Sequence, residues 1–391
     1  MRKNDQYQNQ QAGIYFHIPF CVKKCPYCDF YSTTNLALQK AFLKALMREM
    51  RMLCDFSFLF DTIYIGGGTP SVLLAEDIGK IIETIRQVFK ISADVEITME
   101  VNPGAVDQER FAGYKSAGVN RINIGAQSFQ ETNLAFLGRI HSEKDINPAV
   151  KWARKAGFDN MGLDLIYGIP GQTRQSWLLD LQKAVDLKPE HLSCYMLTYE
   201  PGTPMDKDRQ EAGFCPLSDN LVGDMFELTV EFLSANNYVQ YEISNFALIK
   251  SDKRADKRVN MSRHNRKYWL SAPYIGFGPA AHSFVEPVRY WNTRSVTKYI
   301  KDVNGGRLSI EGKEVLSREQ QMIEAISLGL RMTDGIKTDV FDKKFDVSFK
   351  KIFATTIAYL EEDGLISVAE NRCSLTRKGM LFADSITSML I

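Results

Sequence analysis

The sequence lacks any uninterrupted apolar run approaching the ~18–20 residues of a membrane span. It also lacks a charge bias. Its 48 Lys and Arg face 47 Asp and Glu, for a net charge of +1, so nothing in the overall balance draws it to nucleic acid or to an anionic membrane. Nucleic acid is therefore not expected as a partner, and membrane contact is expected to be peripheral at most. The opening stretch, MRKNDQYQNQQAG, has no apolar h-region of a signal peptide, which gives a cytoplasmic expectation. In that compartment a disulfide framework is not expected. Histidine is scarce, at five residues, and no H-x3–5-H pair occurs.

What is present is an ordinary globular balance, 45% hydrophobic and 24% charged. The 391 residues exceed the roughly 250–300 at which single cores stop growing, so more than one domain is expected. Short β-branched runs recur at Ile14–Ile18, Thr62–Ile65, Val95–Val101, Arg121–Ile124, Met161–Ile166 and Leu192–Leu197. Helical patterns alternate with them at Leu38–Leu53, Ile78–Phe89, Gln108–Ser116, Ile146–Ala156 and Ser176–Leu187, with a shorter one near Thr132–Leu137. Strand then helix, six times, predicts an α/β fold over residues 1–200, a parallel sheet or a partial (β/α)6, TIM-like barrel. Such sheets carry their chemistry at the C-terminal ends of the strands. The rhythm fades from about Pro201, so 201–304 read as an extension of the barrel. Gly305-Gly306 reads as a linker to a module at 305–391, with helices and a hairpin at Leu365–Val368 and Arg372–Leu375. Helices plus a wing describe a winged-helix-like module. Residues 311–391 carry 11 Lys and Arg against 13 Asp and Glu. A DNA-binding wing is usually basic, so packing or protein docking is expected here instead.

Three of the seven cysteines crowd into Cys21-Val-Lys-Lys-Cys25-Pro-Tyr27-Cys28, on a loop after the first strand. A structural zinc site needs four N or S ligands, and no second C-x2-C pair supplies a fourth. Thiolates are the usual ligands of iron–sulfur clusters. Three thiolates on a [4Fe–4S] cube leave one iron free for the amino and carboxylate groups of S-adenosylmethionine, whose radical chemistry belongs to the cofactor. The loop resembles that of the radical S-adenosylmethionine (radical SAM) superfamily. In that resemblance Cys21, Cys25 and Cys28 are the metal ligands and Tyr27 packs near the adenine. Gly66-Gly67-Gly68-Thr69-Pro70 is similar to the glycine motif that meets the methionyl amino group. Glycine allows such close approach of backbone to ligand.

Further segments narrow the resemblance. They are Tyr15-Phe-His17-Ile-Pro-Phe-Cys21, Glu100-Val-Asn-Pro-Gly104, Gly118-Val-Asn-Arg121, Gln127-Ser-Phe129 and Asp164-Leu-Ile-Tyr-Gly-Ile-Pro-Gly171. Together they look like the oxygen-independent coproporphyrinogen III oxidase subfamily, which also contains a haem-chaperone branch. The resemblance implies S-adenosylmethionine contacts from Tyr15, Gly67, Gly68, Thr69, Glu100, Gln127, Arg139 and Asp164. The residue chemistry agrees: carboxylates suit ribose hydroxyls and an arginine suits a carboxylate.

Three features lean toward the chaperone branch. The oxidases carry an extra cysteine two positions after the third ligand, where this chain has Phe30. They have a long segment before the first strand, where this chain has residues 1–13. And His264-Asn265-Arg266-Lys267-Tyr268-Trp269 matches the H-N-x-x-Y-W pattern of the chaperone branch. Histidine is a competent axial haem ligand, and flanking aromatics suit a flat macrocycle. His264 is thus the candidate haem ligand. The implied cargo is haem, the implied acceptors are apo haem proteins such as respiratory ones, and the implied electron donor is a flavodoxin or ferredoxin. No residue is singled out as catalytic, and radical decarboxylation of coproporphyrinogen propionates stays open as the alternative. Basic residues crowd 249–267, among them Lys250, Lys253, Arg254, Lys257 and Arg258, offset by Asp252 and Asp256. A solvated insertion and an attraction for haem propionates are both compatible with that composition.

Overall fold

The computed structural model describes residues 11–54, 56–249 and 260–391. Six parallel strands form its centre: β1 (Gln11–Ile18), β2 (Leu59–Gly67), β3 (Lys90–Val101), β4 (Arg121–Gln127), β5 (Met161–Tyr167) and β6 (His191–Met196). They pair in chain order. Helices Gln39–Met52, Ala75–Val88, Gln108–Ala117, Glu143–Lys155 and Arg174–Asp186 supply the crossovers, and the short Glu131–Phe136 follows β4. All the expected units are present. Strands β2 and β3 start earlier than their β-branched runs, because Leu59 pairs with Lys90 and Phe60 with Ile91. The mixed sequence Lys-Ile-Ser-Ala-Asp gives no alternation to announce that pairing.

The helices cover one face by ordinary amphipathic spacing. Ile78, Ile81, Ile82 and Ile85 recur at helical intervals and are all buried. They join Ile63, Ile65, Ile97 and Met99 of the sheet in one core. Strand side chains alternate between faces. The other, inner face therefore carries Tyr15 and His17, Thr62 and Tyr64, Glu96, Thr98 and Glu100, Arg121 and Asn123, and Asp164. Register aligns these residues in rows: Tyr15 beside Tyr64, Tyr64 beside Thr98, Glu100 beside Asn123 and Gly125 beside Asp164. A polar inner face against an apolar outer face is what readies this sheet for a polar ligand.

Beyond β6 the crossovers give way to hairpins at both sheet edges. Strands β7 (Tyr238–Gln240) and β8 (Asn245–Leu248) extend the β6 edge. Strand β9 (Tyr274–Phe277) lies parallel on β1, followed by β10 (His282–Val285), β11 (Val288–Asn292) and β12 (Ile310–Val315). Among the described residues the resulting sheet has twelve strands in the order β12-β11-β10-β9-β1-β2-β3-β4-β5-β6-β8-β7. Gly305, offered by the sequence as part of a linker, caps the helix Val296–Asn304 and leads into β12 of this same sheet. A separate core begins only after that strand. It gathers Leu330, Phe341, Phe345, Phe349 and Leu360 around strands β13 (Ile336–Lys337), β14 (Ile366–Ala369) and β15 (Arg372–Leu375). The hairpin β14–β15 is the expected wing. Arg289 ties the two cores through a bidentate pair with Glu324 at 2.7 and 2.8 Å, and Arg331 stacks over the Trp269 ring at 4.8 Å. Among the described residues no helix is long and apolar enough to cross a membrane.

Candidate metal centre

The cysteine loop leaves β1 at Ile18 and is pinned back on itself. Cys21 N–H donates to Thr33 O at 3.0 Å, Thr33 N–H donates to Pro19 O at 2.7 Å, and Cys28 N–H donates to Cys25 O at 3.2 Å. The glycine motif after β2 buttresses it from the side. Gly68 N–H donates to Ile18 O at 2.8 Å and Thr69 N–H to Phe20 O at 2.7 Å, while Thr69 Oγ1 donates to Cys21 Sγ at 3.4 Å. The glycines are required here. Gly67 has φ +106°, and a Cβ on Gly68 would lie 2.8 Å from both Ile18 O and Phe20 O.

None of the three cysteines is disulfide-bonded. Burial, and then the neighbouring Cys25 and Cys21, hold the Cys28 thiol above its ordinary pKa. Three cysteine sulfurs crowded on one short loop are a donor set suited to a cationic metal group, which draws the proton off each thiol that it binds. Among the described residues no three His, Cys, Asp or Glu side chains could hold a single metal ion. A cube would take one thiolate per iron, from Cys21, Cys25 and Cys28.

The rim beyond the loop brings the remaining sequence candidates together. Glu100 accepts from Tyr64 Oη at 2.8 Å and from Gly67 N–H at 3.2 Å. Burial raises its pKa to about 7. Asp164 accepts from Asn123 Nδ2 at 2.6 Å. Gln127, beside a bulge in the β4–β5 register, holds φ +66°, a strained value for a non-glycine residue. Arg139 reaches back across the rim. Its Nη2 donates to Gly125 O at 3.0 Å, and its Nη1 lies 3.5 Å from Tyr27 Oη and 3.8 Å from Cys25 Sγ. Tyr15 stacks on Tyr64 with centroids 6.2 Å apart. Asp164 Oδ1, Asn123 Oδ1 and Arg139 Nε are buried with no hydrogen-bond partner among the described residues. Buried polar atoms are rarely left so, and a polar ligand would satisfy them. The residues thus fit a cluster with a polar cofactor beside it. Tyr64 and Asn123 belong to this rim although no motif named them. Their signal was strand alternation, each lying two residues before a rim glycine on the inner face.

His264 sits elsewhere. Its helix, Arg263–Trp269, begins at Ser262, whose hydroxyl accepts from Asn265 N–H at 3.2 Å. Glu96 takes the next free donors, the backbone N–H groups of Arg263 and His264 at 3.2 and 3.1 Å, as a carboxylate at a helix N-terminus should. The His264 ring is 1% exposed. Its Nδ1 shares a hydrogen bond with Thr62 Oγ1 and its Nε2 one with Tyr268 Oη, both at 2.9 Å. It stacks on Tyr64 at 5.2 Å, and burial lowers its pKa to about 3. An axial ligand must offer iron a free ring nitrogen, and here both are engaged. In this structure the ring braces Tyr64, and through it Glu100, so a haem ligand role for His264 would require one of these hydrogen bonds to be given up. The basic segment divides likewise. Lys250, Lys253, Arg254, Lys257 and Arg258 lie outside the described residues, whereas Lys267 and Arg263 are paired with Asp61 at 2.6 and 3.1 Å.

The fold and the cysteine rim define a protein of the radical SAM type. The Radical SAM superfamily matches residues 15–184, and the HemN C-terminal domain matches 316–382. Superfamily membership carries a [4Fe–4S] cluster and S-adenosylmethionine as its general cofactors. Among similar proteins, the heme chaperone HemW of Lactococcus lactis is 34% identical over 379 residues, 96% of each chain. That of Bacillus subtilis is 34% identical over 96% of this chain and 97% of the relative, and that of Escherichia coli is 39% identical over 70% of each. This chain belongs to the HemW family. Coproporphyrinogen III oxidase (HemN) from Escherichia coli shares its fold, with a TM-score of 0.82 over 98% of this chain and 90% of that one, at 24% identity.

Proposed function

We propose that this protein is a haem chaperone. It binds haem and passes it to haem proteins, with a [4Fe–4S] cluster on Cys21, Cys25 and Cys28 and S-adenosylmethionine on the adjoining rim. The observation that carries this reading is similarity to HemW relatives along the whole chain, 34% over 96% of both lengths. When bound, cluster and sulfonium together supply one-electron chemistry or a structural switch. The chain's own residues do the holding. Glu100 and Asp164 accept from ribose hydroxyls, the Gly67–Thr69 backbone meets the methionyl amino group, Arg139 offers its guanidinium to the carboxylate, and Gln127 offers its amide to a polar edge. Tyr15 and Tyr27 supply aromatic walls. Tyr27 also lies beside Arg139, which keeps it next to the loop. The acceptors would be respiratory haem proteins, reached from the cytoplasm, and the electron donor a flavodoxin or ferredoxin.

The fold shared with coproporphyrinogen III oxidase carries no activity at that identity. Phe30, where the oxidases have a further cysteine, also supports the chaperone reading. The test is optical titration with haem of protein reconstituted under anoxic conditions. A shifted Soret band saturating stoichiometrically is expected, and its absence overturns the reading. Decarboxylation of coproporphyrinogen by the same reduced sample would replace it with the oxidase.

A further inference from the structure

On the outer flank of the cysteine loop lies a cavity of about 320 Å³, between β1 and the added strands β9 to β11. Its walls include Tyr15, Tyr31, Tyr268 and Tyr274, and Phe30, His282, Arg294 and Asp29 also line it, the Asp29 carboxylate lying 3.8 Å from the Arg294 guanidinium. Phe30 is 65% exposed, an unusual position for a large apolar ring. The Arg294 side chain is 59% exposed, and one of its N–H groups donates to Asp29 O at 3.0 Å. Aromatic walls with one guanidinium suit a flat, largely apolar ligand that carries carboxylates.

The histidines divide unevenly. Of the five in the chain, His17, His141, His191 and His264 are each under 5% exposed. His17 is bonded to Tyr31 O and Tyr15 Oη, His141 to Ala126 O and His191 to Tyr241 Oη. His282 alone is exposed. Its ring stacks on Trp291 with centroids 5.8 Å apart and has no hydrogen-bond partner among the described residues. An imidazole that must meet iron from solution can be this one without any rearrangement of the fold.

We propose that His282 is the axial ligand of the haem cargo, bound at this cavity with Phe30 against the macrocycle and Arg294 on a propionate. The proposal rests on the haem reading above and assigns its site. It places the cargo beside the cluster loop, since Asp29 and Phe30 directly follow Cys28.

The test is anoxic haem titration of the reconstituted full chain and its variants. His282→Ala should weaken binding about tenfold or more, with loss of the Soret position of imidazole-ligated haem, and added imidazole should restore that position. The ring is exposed, so cluster absorbance and far-ultraviolet circular dichroism should match the unsubstituted protein. Arg294→Gln should weaken binding roughly threefold with the Soret unmoved. If His282→Ala binds haem with unchanged affinity and spectrum, or if only His264→Ala loses the ligated spectrum, the assignment is overturned. If the unsubstituted protein binds no haem, the chaperone reading itself fails, which is a separate result.

Discussion

The rim and the 263–269 helix are both built on sequence motifs, and both press against the inner face of the same sheet. They differ in what their polar atoms are doing. On the rim, Asp164 Oδ1, Asn123 Oδ1 and Arg139 Nε are buried without partners, and Gln127 is held at strained φ. On the helix, both nitrogens of His264 are occupied and Glu96 closes the N-terminus, although Arg266 Nε and Trp269 Nε1 farther along are likewise buried without partners among the described residues. A region with unmet polar capacity is prepared for a ligand. A ring whose capacity is met, like that of His264, is prepared to hold something else in place. The contact between them is Tyr64, stacked on His264 below and bonded to Glu100 above. Matching a motif does not distinguish Asp164 and Arg139 from His264; the hydrogen bonds at each of these side chains do.

The largest expected effect lies at the rim. Cys25→Ser should abolish stoichiometric iron and sulfide after anoxic reconstitution, because a cube left with two thiolates loses a corner. Thermal stability of the metal-free chain should hardly change, since Cys25 is only half-buried and its thiol anchors no strand. Iron and sulfide retained after replacement of all three cysteines would remove the metal centre from this loop. The opposite split is expected at the helix. His264→Ala strands the hydroxyls of Thr62 and Tyr268 and opens a void under Tyr64, at a cost of about 3 kcal/mol. Denaturant unfolding would read it. A variant as stable as the parent would mean that the ring is not a brace, and the comparison would fail.

The six strand–helix units were legible because their crossovers are amphipathic and their strands β-branched, as with Ile78 to Ile85 against Ile63 and Ile65. The cysteine loop and the glycine motif were legible because their chemistry demands fixed residue types at close spacing. The edge strands β9 to β12 were not. They are short, and β9 pairs with β1 across more than 250 residues of chain, a distance no local pattern encodes. Their position carries His282 and Arg294 to the cysteine loop, so the cavity was invisible for the same reason. The hydrogen bonding of His264 was hidden for a different one. The aromatic hexamer looked like a haem cradle, but burial turned Tyr268 inward onto the histidine and Trp269 outward onto Arg331.

The smallest effect expected is a slope, and it falls where rim and brace meet. Glu100 has a folded pKa of about 7 against an ordinary 4.5, chiefly through burial. A carboxyl with a raised native pKa binds its proton more tightly folded than unfolded, so native stability declines as pH rises from 4.5 through about 7. Glu100→Gln removes that proton from the balance, and its unfolding free energy should be flatter across the same window. A bound ribose would prefer the carboxylate as acceptor, so S-adenosylmethionine should bind more tightly toward the upper end of that range, with proton release measurable by titration calorimetry in buffers of different ionisation enthalpy. The glutamine variant should lose the proton release and keep its stability, because Gly67 N–H can still donate to the amide oxygen while the Tyr64 hydroxyl turns to accept from the amide NH2. If the variant instead unfolded as readily as His264→Ala, Glu100 would belong with the brace, and the line drawn between a prepared rim and a satisfied support would have to move up by one residue.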